Sequence, residues 1–88
     1  MENYNVYFVQ YCYGTNNSYD RYGSWIIAQN EEELKDNLAY RHKCKKSLIT
    51  ISGVYVRVPL NTFIAETNGL FNCNEELNKI FDKYYKED

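Results

Sequence analysis

The sequence predicts an α+β domain: a small antiparallel sheet of three to four strands with two helices packed on one face, in the order β-β-α-β-β-α. Three observations carry this expectation. Residues 4–13 and 47–60 are rich in β-branched and aromatic side chains that alternate with a period of two. Two later stretches place leucine, isoleucine and aromatic residues at helical spacing behind acidic first turns. Clusters of Asn, Ser and Gly separate these pieces. The chain has 88 residues, 44% hydrophobic and 25% charged, which predicts one folded domain spanning 1–88.

The first strand, Tyr4 to Tyr13, is apolar on both faces: Tyr4, Val6, Phe8 and Cys12 on one, Tyr7, Val9, Tyr11 and Tyr13 on the other. Such a strand belongs in the middle of a sheet, covered on both sides. The alternative use of its second face is a symmetric contact between two copies of the chain. Ser24 to Gln29 reads as a second, antiparallel strand, with Trp25 and Ile27 on one face and Ile26 and Ala28 on the other. Asn30 is a suitable N-cap for the first helix, and Glu33 stands at capping-box spacing. Leu34 and Leu38 mark a narrow buried stripe, and the helix ends near His42 or Lys43. In Ser47 to Leu60 the alternation changes phase at Ser52-Gly53. A two-residue hairpin there, or a single β-bulge, puts Ile49, Ile51, Val54, Val56 and Val58 on one face, and the hairpin is preferred. Pro59 closes that segment. Asn68-Gly69 either joins two short strands or caps a short helix from Thr62 to Thr67. The last helix is marked by Leu77, Ile80, Phe81 and Tyr84, with Asn72 and Asn74 as competing caps.

Ten residues are tyrosine, and six of these flank or lie in one polar loop, Tyr13 to Ser24. About ten residues is long for a hairpin connection, and long loops in compact domains tend to carry function. Tyr, Asn, Ser and Gly together have the composition of a recognition surface, with large amphipathic contact area, few rotors to freeze and adaptable hydrogen bonds. The expected partner-binding residues are therefore Tyr11, Tyr13, Asn16, Asn17, Tyr19, Arg21, Tyr22 and Trp25.

A net charge of −2 does not match a general nucleic-acid binder. One basic cluster exists, Arg41-His42-Lys43-Cys44-Lys45-Lys46. Dipole complementation at a helix C-terminus is its simpler meaning. Its functional meaning is a phosphate or nucleic-acid contact through Arg41, Lys43, Lys45 and Lys46, completed by stacking on exposed tyrosines. Cys44 among these cations has the setting of a reactive thiol, yet no orienting third group accompanies it. Cys12, His42, Cys44 and Cys73 have no paired zinc-ligand spacing, so neither a metal nor a cofactor is expected.

No secretory signal and no membrane-spanning run is visible. Three widely spaced cysteines suit a reducing cytoplasm. Abundant Asn, Lys, Tyr and Ile have AT-rich codons and suggest a low-GC bacterial host. In size and composition the chain resembles the short inhibitors that phages and mobile elements carry against host machinery, anti-CRISPR proteins among them, though no motif carries that resemblance. The expectation is a non-enzymatic, cytoplasmic module that binds a host protein, such as a component of a nucleoprotein defence complex, and acts by steric occlusion. A single-stranded nucleic-acid or nucleotide binder is the alternative.

Overall fold

In the computed structural model, which describes residues 4–14, 21–70 and 72–85, the doubly apolar first strand takes the middle of the sheet. This strand, β1 (Asn5–Tyr13), is flanked by β2 (Arg21–Ala28) and by β3 (Ile49–Pro59), giving the order β2-β1-β3 with both pairs antiparallel. Helix α1 (Glu31–His42) follows β2, a short 3₁₀ turn (Lys46–Leu48) leads into β3, and α2 (Leu60–Thr67) and α3 (Asn74–Tyr84) complete the chain.

Both faces of β1 are covered, as its composition requires, but by a different arrangement from the one expected. Three helices pack on the sheet, and they divide between its faces. Tyr7, Val9 and Tyr11 meet Leu34, Leu38 and Ala39 of α1, together with Ile26, Ala28 and Ile49. Val6, Val56 and Val58 meet Phe63 of α2 and Ile80 of α3, with Phe8, Trp25, Leu77 and Phe81 packed around them. A sheet apolar on both sides cannot leave one side in water. Leu34 and Leu38 are fully buried, each gaining about 1.5–3 kcal/mol over an exposed position. Both faces of β1 are thus buried within the chain itself.

α1 begins where its capping residues stand. Asn30 Oδ1 accepts from the Glu33 N–H at 3.0 Å, and Glu33 Oε1 accepts from the Gln29 N–H at 3.1 Å. This is a capping box whose return bond falls one residue early. The helix ends at Lys43, whose φ of 54° is left-handed. The Lys43 and Cys44 N–H groups close the last turn on the carbonyls of Tyr40 and Ala39.

The expected Ser52-Gly53 hairpin is absent. Residues 49–59 form one long strand with two register shifts against β1. Phe8 faces Val56 while Val9 faces Val54, leaving Tyr55 extra; Gln10 faces Gly53 while Tyr11 faces Ile51, leaving Ser52 extra. Two bulges flip the alternation twice, so the five aliphatic residues do not share a face. Ile49, Ile51 and Val54 pack on the α1 side, and Val56 and Val58 pack on the other. A hairpin would have used half of the segment against itself and left much of the nine-residue β1 without a second neighbour. Ser52 Oγ, at its bulge, donates to the Gln10 carbonyl at 3.1 Å.

Asn68-Gly69 terminates a helix rather than joining strands: Asn68 has φ 53° and Gly69 φ 77°. Thr67 is fully buried, and its hydroxyl donates to the Phe63 carbonyl at 2.8 Å. α3 starts at Asn74 after Cys73, without a side-chain cap, so neither Asn72 nor Asn74 serves as one. Among the described residues no helix is long and apolar enough to cross a membrane.

Candidate functional site: the aromatic and basic end of the sheet

The register of β1 on β2 sets Tyr11 opposite Tyr22, and the last turn of α1 lays His42 over the same corner. Four rings meet there. Tyr13 stacks on His42 with centroids 4.0 Å apart and planes at 27°, and Tyr11 stacks on Tyr22 at 5.6 Å and 28°. Tyr22 lies 5.7 Å from both Tyr13 and His42. Separations of this size are favourable for aromatic pairs.

The cluster has an inside and an outside. Tyr11 is 2% exposed, and its Oη shares a hydrogen bond of 2.5 Å with Nε2 of His42. Burial pushes the Tyr11 phenol above its ordinary value, opposed by the nearby Arg41 guanidinium and reinforced by Tyr22 and Tyr13. Tyr11 thus supports the corner from within rather than offering a contact. Tyr22 is exposed, and Tyr13 and His42 are half-buried.

Cations rim the same corner. Lys43 and Lys45 follow the end of α1, just after His42, and both are exposed. Arg21, also exposed, stands opposite Cys12 and so shares the sheet face of Phe8 and Trp25 rather than that of Tyr22. Among the described residues none of them has an ion-pair partner. Lys46 pairs with Asp36 at 3.1 Å, both ends well exposed, a pair worth at most about 1 kcal/mol. Arg41 lies behind the corner rather than on its rim: its charge acts on buried Tyr11, and it donates to Ser24 Oγ and, at 3.3 Å, to the Trp25 carbonyl.

Two sets of residues that the sequence kept separate are therefore neighbours. Tyr13 and Tyr22 from the tyrosine-rich segment lie beside the end of α1, where the basic run supplies His42, Lys43 and Lys45; Arg21 falls on the other face. Trp25 leaves the group. It sits on the opposite face, 5.1 Å from Phe8 and 5.9 Å from Phe63. Asn16, Asn17 and Tyr19 lie outside the described residues. His42 is the member that sequence reasoning missed as a ring partner. The available signal was its place in the last turn of a helix that packs on the face of Tyr11 and Tyr13. Cys44 packs against the α1-side core and is a free thiol. Among the described residues no three His, Cys, Asp or Glu side chains converge as metal ligands would.

Chemically, the corner offers flat π faces with polar tips, an imidazole, and two cations, Lys43 and Lys45, with no counterion among the described residues. Such a surface suits a partner that presents carboxylates or phosphates beside planar or apolar groups. No family model, curated protein or solved structure matches the chain.

Proposed function

We propose that the protein is a small non-catalytic binding module that docks this aromatic and basic corner onto an acidic surface of a partner protein and acts by occupying it. The observation that carries the reading is the meeting of Tyr13, Tyr22 and His42 with Lys43 and Lys45, which have no ion-pair partner among the described residues. Aromatic anchors beside positive charge are the usual source of interface energy and of electrostatic steering. With both sheet faces occupied by helices, the end of the sheet is where these groups remain accessible. A steric inhibitor of a host protein, of the kind mobile elements carry, would work through such a surface without catalytic groups.

The test is retention from a lysate of a low-GC bacterium on immobilised protein, comparing wild type with Tyr22→Ala and with Lys43→Glu/Lys45→Glu. One stoichiometric protein partner, bound at least about 30-fold more weakly by either variant, is expected. Unchanged retention by both variants overturns the site. The same geometry favours a second reading, since stacked rings beside cations also form a single-strand platform. Recovery of nucleic acid alone, with affinity falling steeply as salt rises, would replace the first reading with that one.

A further inference from the structure

A groove of about 580 Å³ runs along the free edge of β2. Trp25, Phe63 and Leu77 line it on one side of the sheet, and Asn37, Tyr40 and Arg41 of α1 line it on the other. Ile27 forms a lip at 48% exposure, and Tyr40 is 85% exposed. The volume falls in the range of small-molecule sites.

The polar chemistry of the groove follows from the strand edge. The carbonyls of Trp25 and Ile27 turn away from β1, and both are already occupied: Ile27 O accepts from Asn37 Nδ2 at 2.9 Å, and Trp25 O accepts from Arg41. Strand geometry turns the N–H groups of the same two residues outward as well. They find no acceptor outside the sheet among the described residues. Arg41 has no carboxylate partner among the described residues either. Along the groove, at Trp25 and Ile27, the edge thus has its carbonyls engaged and its amide donors free of an acceptor among the described residues. An added β-strand needs both kinds of group, whereas a carboxylate is acceptor-only.

We propose that this groove binds a small amphipathic monocarboxylate. Its hydrocarbon lies against Trp25, Phe63 and Leu77, and its carboxylate bridges Arg41 and the outward amides of β2. The site shares Arg41 with the buried side of the aromatic corner but does not depend on the docking function assigned there.

Trp25 is the chain's single tryptophan, so intrinsic fluorescence reads the groove directly. Hexanoate, octanoate and decanoate are titrated into the intact protein, with decanol as the uncharged counterpart. A saturable change is expected, tightening about fourfold per added methylene. Arg41→Gln weakens decanoate about tenfold and leaves decanol within about twofold. Arg41 also braces Ser24 and Trp25, so a second variant tests charge without disturbing it. Ile27→Glu, at the exposed lip, repels decanoate while decanol still binds. The absence of a saturable change with decanoate overturns the proposal. So does equal affinity for decanoate and decanol in wild type and both variants.

Discussion

Replacing Gly53 with alanine should change sign according to what stands at residue 55. Gly53 pairs with Gln10 between the two bulges of β3, and its φ is not left-handed, so the backbone accepts alanine. The obstacle is local: an added Cβ would lie 2.8 Å from both Cζ and Oη of Tyr55. That ring donates through its hydroxyl to Gln10 Oε1 at 3.0 Å and stacks on Tyr85 at 5.7 Å and 19°. To make room it must swing away. The hydrogen bond is worth about 1 kcal/mol and the stacking about 0.5–1.5 kcal/mol. Alanine returns about 0.4–1 kcal/mol by stiffening the unfolded chain. The net loss is about 1 kcal/mol, a fall in Tm of about 4–8 °C for a domain of this size. In a Tyr55→Ala background the obstacle is gone, and Gly53→Ala should stabilise by about 0.4–1 kcal/mol. The four proteins form a cycle with a coupling near 2 kcal/mol, read by urea unfolding at constant m. Equal effects of Gly53→Ala in the two backgrounds would refute the steric argument.

Two further predictions concern protons. The folded-state pKa of Tyr11 is raised above 10.0 by burial. Its contribution to stability is therefore complete below that value and is lost as pH climbs through the raised one. Absorbance titration should show late-ionising phenols, Tyr84 among them because its hydroxyl is held by Glu66, and Tyr11→Phe should remove one such component and flatten the alkaline limb of stability. Glu66 behaves oppositely: the Tyr84 hydroxyl first, and then Lys83 at 2.9 Å, hold its carboxyl below 4.5. Its contribution is present above 4.5 and is lost as pH falls through the lowered value. Urea midpoints followed from about pH 6 to pH 2 should show a shallower acid limb in Tyr84→Phe than in wild type, and a smaller change in Lys83→Gln.

What could be read in advance was set by local pattern, and what could not was set by pairing. Tyr7, Val9 and Tyr11 opposite Val6 and Phe8 already demand cover on both faces, which is why β1 is central. Asn30 with Glu33, and Leu77 with Ile80, Phe81 and Tyr84, define helices through contacts three and four residues apart. The division of helices between faces depends instead on how the chain returns after β3, and no short-range signal encodes that. Ser52-Gly53 looks like a turn because a single phase change is visible there. The second flip, at Tyr55, makes sense only once β1 lies alongside, since Val54 must face Val9. The site divides in the same way. Tyr13 and Tyr22 could be nominated from composition, but their joining with His42, Lys43 and Lys45 needs α1 laid across the sheet. Arg41 left the basic group because Ser24 and the outward carbonyl of Trp25 lay within its reach.

The arrangement of charge along α1 has a consequence for how encounters begin. Glu31, Glu32 and Glu33 stand at one end of the helix, and Arg41 and Lys43 stand at the other, about 18 Å away. This helix is therefore polarised although the formal net charge of the chain is only −2. In the field of a negative partner the molecule rotates while still approaching, bringing Tyr22 and its neighbours forward before any contact is made. Dissolved ions limit that reach to about 8 Å at physiological strength. Added salt should accordingly slow capture and leave the lifetime of the finished complex, set by its buried aromatic contacts, little changed.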